Sequence, residues 1–225
     1  MNVLKTIAIA TFGFSFAVLS SCGGGTKTNA DSKIEDVAKE MAGIKTFFIE
    51  YKTTVNAQDM KSTSTMTQWI DNEHDRQAVY TETQSEMMGM KNMDKSMMIM
   101  KDGWSYIINL TNKTGFKSKD GEMGEDPTDM IKSDNDVTFR QMIEKEGGKI
   151  LSNETFLGKD CIVVEINEQG DEDQMLKTKM WYYKGIPLKM VNEVYTMEAT
   201  KFEENISIPD NKFEVPAGIT ISEMP

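Results

Sequence analysis

Histidine and cysteine are almost missing from this chain of 225 residues: His74 is the one histidine, and Cys22 and Cys161 are the two cysteines. Zinc sites draw heavily on those two residue types, which argues against a zinc centre. A Cys161–His74 nucleophile pair fares no better, because neither residue stands in a recognisable catalytic motif. Cys161 lies in the apolar run Asp160-Cys161-Ile162-Val163-Val164 and reads as a buried core thiol. There is no phosphate-cradling glycine loop, nucleophile elbow or metalloprotease helix. The expectation is a protein that is not an enzyme and carries no cofactor. Positive charge is short as well. Lys plus Arg total 25 against 36 Asp plus Glu, a net of −11, and Arg76 and Arg140 are the only arginines. Binding a phosphate backbone needs a basic surface, so nucleic acid is a poor partner.

Long apolar runs are absent too, except for Thr6 to Leu19 near the N-terminus. That run is shorter than the ~20 residues that span a bilayer. It follows a short segment with one positive charge and ends at Leu19-Ser20-Ser21-Cys22, as a secretory signal does. The tetrapeptide resembles a bacterial lipobox, the sequence cut just before a cysteine that has received a lipid. The reading is a signal peptide over residues 1–21, a lipidated tether over 22–31 beginning at Cys22, and one folded domain over 32–225. Two or three acyl chains on Cys22 would make attachment to a membrane effectively permanent. Gly23-Gly24-Gly25 and the polar residues after it form a flexible leash. Position 23 is Gly rather than the Asp that resembles an inner-membrane retention signal. The expected location is therefore the outer membrane, facing the periplasm.

After the tether, Ser32 and Glu35 fit a capping box, and Ile34, Val37, Ala38, Met41 and Ile44 recur at helical spacing. This predicts a helix over about 33–45. Strand patterns follow at Phe47 to Ala57, Lys61 to Asp71, Asp75 to Ser85, Lys95 to Lys101 and Trp104 to Leu110, with Asp102-Gly103 a strong hairpin signal. Residues 120–136 are acidic and read as an irregular excursion, after which Phe139, Met142 and Ile143 share a helical face. Strands resume at Lys149 to Phe156, Cys161 to Glu168, Met175 to Tyr183, Leu188 to Glu198 and Lys201 to Ile208. About ten strands with two helical insertions, and no alternation of strand with helix, predict a mainly β (α+β) fold. Leu188 to Glu198 looks apolar on both faces, so something should cover both.

Three stretches carry a resemblance: Phe156-Leu157-Gly158-Lys159-Asp160-Cys161-Ile162-Val163-Val164-Glu165, Trp181-Tyr182-Tyr183-Lys184-Gly185-Ile186-Pro187-Leu188-Lys189, and Ile208-Pro209-Asp210-Asn211-Lys212-Phe213-Glu214-Val215-Pro216-Ala217-Gly218. They resemble the periplasmic lipoprotein carriers and receptors known as LolA and LolB and their lipid-binding relatives. The resemblance implies a curved antiparallel half-barrel with helices covering its inner face around an apolar cavity for acyl chains. The carriers' cavity arginine has no match, since neither Arg76 nor Arg140 sits in the corresponding motif. Candidate ligand contacts are Trp104, Ile108, Phe139, Met142, Trp181 and Met190. Expected partners are the membrane through the N-terminal lipid, a lipid or other hydrophobic ligand, and an envelope protein.

The segment Met87 to Met100 is unusually rich in methionine. Thioethers select Cu(I), which makes Met88, Met90 and Met93 an alternative metal triad. The plainer reading is that Met98 and Met100 line a core face while the others pad an adaptable surface or the rim of a cavity. A third reading of the chain is an interaction lipoprotein without a ligand.

Overall fold

The computed structural model describes residues 43–57, 60–87, 89–119, 143–144, 147–169 and 175–223. These form one open sheet of twelve strands. The first meander is β1 (Thr46–Ala57), β2 (Met60–Asp71), β3 (Arg76–Met87), β4 (Met90–Lys101), β5 (Trp104–Asn109) and β6 (Thr114–Lys119). The second is β7 (Lys149–Phe156), β8 (Lys159–Gln169), β9 (Met175–Tyr183), β10 (Ile186–Val191) and β11 (Tyr195–Glu204). Antiparallel pairing of β1 with β11 joins the two meanders. A last strand, β12 (Thr220–Glu223), returns to pair in parallel with β6, giving the order β12-β6-β5-β4-β3-β2-β1-β11-β10-β9-β8-β7.

This corrects the expected α+β fold of about ten strands. Among the described residues the architecture is a twelve-stranded β sheet, and helix is confined to Ile143 and Glu144 and to one 3-10 turn, Asp210–Phe213. Residues 44–45, the end of the expected N-terminal helix, run without helix into β1; the rest of that helix and nearly all of the helical insertion lie outside the described residues. Helical spacing of apolar residues is a weak prior when tertiary contacts decide the backbone, as Ile44 shows: it is buried in the sheet's core rather than in a helical stripe.

Local chemistry explains the turns. Asp102-Gly103, Leu157-Gly158 and Lys184-Gly185 each place two consecutive residues at positive φ, the conformation a two-residue hairpin needs. The run Leu188 to Glu198 is not one strand. Asn192 breaks it into β10 and β11: its Oδ1 accepts from the backbone N–H of Val194 and Tyr195, each at 2.9 Å, in a side-chain-capped turn. Met190 and Met197 then lie side by side on one face, paired across β10 and β11. The apparent two-sided hydrophobicity came from reading a hairpin as a single strand.

Pairing between neighbours in β1 to β6 runs without a register shift, so side chains alternate strictly between two faces. Only Asp94 carries charge on one of them. Every other charged residue of these six strands, from Glu50 and Lys52 through Arg76 and Lys95 to Lys117 and Lys119, falls on the other. We call these the neutral face and the charged face.

A strap formed by residues 205–219 crosses the charged face. It buries Phe213 against Ala78, Ile99 and Ile108, with Trp69, Met97, Tyr106 and Ile221 around them. Arg76 stacks its guanidinium 4.5 Å from the Phe213 ring centre and bonds both Asp71, at 2.6 Å, and Asp210 of the strap, at 2.9 Å. Asp71 is buried, which opposes its charge, yet hydrogen bonds from Arg76 and His74 hold its carboxyl below the ordinary range. The strap ends where Ile221 lies over Gly115: a Cβ there would stand 2.8 Å from both the Ile107 carbonyl and Ile221 Cδ1. Gly115→Ala is therefore expected to cost about 1–3 kcal/mol through overpacking. Urea unfolding measures the loss, and faster amide exchange at Thr220, whose N–H bonds the Lys113 carbonyl, would place it at β12.

Candidate ligand-binding face

The neutral face is graded along its strands. Toward the turns at 72–75 and 102–103 lie one mainly apolar cross-strand row and one mixed row. One runs Phe202, Ile49, Gln68, Val79, Met98, Ile107 and Phe116 from β11 across to β6. The next runs Glu204, Phe47, Ile70, Gln77, Met100, Ser105 and Ser118. Toward the opposite ends of the strands the same face becomes mostly polar, through Thr53, Ser62, Ser64, Thr81, Thr83, Ser85, Asn92, Ser96 and Asn109, with Asp94 as its one charge, bonded by Asn109 at 3.3 Å, and with Val55, Met87 and Met90 at the far ends.

From Ile49 onward burial falls along the first row. Ile49 and Gln68 are 0 % and 1 % exposed, Val79 is 8 %, and Ile107 and Phe116, paired directly across β5 and β6, are 44 % and 52 %. The face thus opens to solvent at its β5–β6 end with two large apolar side chains. Two amides interrupt these rows. Gln68 Oε1 and Gln77 Nε2 are sealed from water with no hydrogen-bond partner, as is Ser118 Oγ. Unmet polar atoms in such surroundings cost about 1–3 kcal/mol each.

At the β11 end the face is closed by a charged corner. β10 parts from β11 beyond Lys189–Glu198, and both strands carry a register irregularity nearby. The Tyr51 hydroxyl, buried, donates to the Pro187 carbonyl at 2.7 Å in this region, and burial raises its pKa well above the ordinary value. Glu204 takes hydrogen bonds from Lys159 Nζ (2.8 Å), Lys184 Nζ (3.0 Å) and Tyr183 Oη (2.9 Å). Burial works against this carboxylate, but those three donors hold it down to about 2. Lys159 also lies 4.8 Å from the Tyr183 ring centre and 5.4 Å from that of Phe202.

The residues expected to contact a ligand do not share a face. Met190 is buried on the neutral side, paired with Met197 and Met180. Trp104 and Ile108 are on the charged face: Ile108 is core beneath the strap, and Trp104 is covered by Lys117, 4.4 Å from its ring. Trp181 pairs with Lys189 on the far side of β9 from Met180 and donates to Glu154 at 2.8 Å. Strand parity separates them, since Trp104 and Ile108 fall an odd number of positions from Ile107 and Trp181 falls one from Met180. Phe139, Met142 and Cys22 lie outside the described residues. The residues missed were Val79, Ile107 and Phe116, together with Gln68 and Gln77. The signal that could have found them is a shared parity: Lys61 and Asp71 in β2, and Arg76, Glu82 and Glu86 in β3, each fall on one face of their strand.

Of the methionine triad, Met88 lies outside the described residues. Met90 and Met93 are three apart in β4 and point to opposite faces, Met90 pairing with Met87 and Met93 with Gln84. Among the described residues no group of three or more His, Cys, Asp or Glu side chains is placed to hold a metal ion. His74 bonds Asp71 at 2.8 Å in the β2–β3 turn. In the sheet order β1, β11, β10 and β9 stand between that turn and the strand of Cys161. Burial pushes the Cys161 thiol up to about 11, leaving it a poor nucleophile.

With this geometry in place, comparison with solved structures is informative about the fold. The chain shares it with a protein of Thermus thermophilus. That match, to an uncharacterized conserved protein, has a TM-score of 0.51 at 7 % identity and covers 88 % of this chain and 100 % of the other. More distant similarity reaches the MucA/MucB complex of Pseudomonas aeruginosa (TM-score 0.44, 10 % identity, 84 % of this chain and 63 % of that one). It also reaches the lipoprotein LppX of Mycobacterium tuberculosis (TM-score 0.38, 5 % identity, 81 % and 100 %). No protein-family model matches the chain, and no curated protein matches its sequence.

Proposed function

We propose that this protein is a membrane-tethered envelope lipoprotein that holds a hydrophobic ligand, without catalysis, on the neutral face of its sheet. The observation that carries the reading is the apolar row from Ile49 to Phe116, which passes from full burial to wide exposure on a face almost free of charge. Monomeric proteins seldom leave large contiguous apolar surface in water without a use for it. Burying a lipid chain there would gain about 0.8 kcal/mol per methylene. Methionines on the same face, Met66, Met98, Met100, Met190 and Met197, suit chains of varied shape because thioethers repack easily. The lipobox-like Leu19-Ser20-Ser21-Cys22 supports the tether and the outer-membrane location, and the resemblance to lipoprotein carriers supports the ligand class.

The full chain carrying Cys22→Ala has no anchor lipid, so any lipid it retains is cargo. Native mass spectrometry of that variant is expected to show noncovalent lipid adducts that Ile107→Lys with Phe116→Lys reduces at least tenfold. A spectrum with no adduct, before and after incubation with an acylglycerol and with a fatty acid, would remove the proposal.

A further inference from the structure

We infer that the ligand is an uncharged amphiphile of the acylglycerol type, with an ester or hydroxyl head, rather than a fatty acid or phospholipid. This rests on the ligand-holding reading and narrows it. The argument is electrostatic first. A buried or half-buried anionic head needs a cationic partner, because removing a charge from water is costly unless it is paired. The protein has lysines in quantity, yet β1 to β6 send every lysine and Arg76 to the opposite face. Lys159 and Lys184, at the β11 corner, are already bonded to Glu204. The one charge that β1 to β6 place on the neutral face, Asp94, is negative and would repel a carboxylate or phosphate.

The second observation is the pair of unmet amides. Gln68 is 1 % exposed and Gln77 8 %, and they are diagonal neighbours on β2 and β3: Gln68 pairs with Val79, two residues along from Gln77. One offers a sealed acceptor, Gln68 Oε1, and the other a sealed donor, Gln77 Nε2. Once the side chains that seal them move aside, a head with both a hydroxyl and an ester carbonyl satisfies the two together; a bare hydrocarbon satisfies neither, and a carboxylate can only accept. Beyond them the hydroxyl side chains of Ser64, Thr81, Thr83 and Ser96 continue a neutral hydrogen-bonding surface. An apolar row for the chain and mostly uncharged polar rows for the head thus adjoin on one face.

The test titrates the full chain carrying Cys22→Ala with 1-monooleoylglycerol and with oleate, which share one hydrocarbon chain. Monooleoylglycerol is expected to bind at least tenfold more tightly. Asp94→Lys, at a partly exposed position, is expected to shrink that ratio at least threefold by favouring oleate. Gln68→Leu with Gln77→Leu is expected to weaken monooleoylglycerol about tenfold and oleate less than twofold. Equal binding of the two lipids, or tighter binding of oleate, would overturn the acylglycerol assignment while leaving a hydrophobic ligand in place. Binding of neither would defeat the ligand-holding reading itself, the result expected where a segment of this chain or a partner protein occupies the face. Equal loss of both lipids in the glutamine variant would overturn the head-binding role, showing that the amides support the sheet instead.

Discussion

Phe213→Ala is expected to lower the free energy of unfolding by about 3–5 kcal/mol, the range for removing a buried aromatic ring. Phe213 is 1 % exposed and is the one side chain of the strap fully inserted into the core under β3 to β5. Its ring is also the platform for Arg76, which links Asp71 at the end of β2 to Asp210 in the strap. Truncation leaves a cavity over Ala78, Ile99 and Ile108, and it removes the surface that orders the guanidinium. Without that anchor, β12 is held by its short parallel pair with β6, the packing of Ile221 and the Lys117–Glu223 ion pair. Guanidinium denaturation measures the loss. A change below about 1 kcal/mol, well under the range for a buried ring, would mean that the strap is not part of the cooperative unit.

Glu204→Gln is expected to cost on the order of 2–3 kcal/mol at pH 7 and progressively less in acid. The carboxylate is held at about 2 against an ordinary 4.5 by Lys159, Lys184 and Tyr183. A carboxyl whose folded pKa is depressed binds fewer protons in the native state than in the unfolded one. Its contribution is therefore whole above about pH 4.5 and is lost as pH falls toward 2. The amide variant lacks that contribution and leaves two lysines side by side, each 27 % exposed. The stability gap between the two proteins should narrow between pH 4.5 and pH 2. A gap that stays constant across that window would show that the cluster acts by packing alone.

Much of the sheet was legible because its signals are local. The hairpins at Asp102-Gly103 and Lys184-Gly185 need positive φ at adjacent residues, and that demand is written in the residues themselves. Elements with weaker punctuation were not found. The Asn192 turn has no glycine or proline and works through a side-chain oxygen, so β10 and β11 read as one strand. β12 is four residues long and draws its stability from β6 and Gly115 far away in sequence. The candidate contacts Trp104, Ile108 and Trp181 match Met190 in hydrophobicity but not in face, because a shift of one position sends a strand side chain to the opposite side.

By itself the sequence determined the candidate lipid anchor at Cys22, the scarcity of histidine, cysteine and arginine, and a chain of antiparallel strands, because each depends on composition or on residues close together. Only the tertiary structure decided which residues share a surface. Registers between strands gathered nearly all the charge of β1 to β6 on one side and set Gln68 beside Gln77 on the other, while the strap carried Phe213 into the core beneath the charged face. Those outcomes depend on pairing partners far apart in sequence, and a period-two pattern cannot say which face meets water until the strand's neighbours and its cover are known.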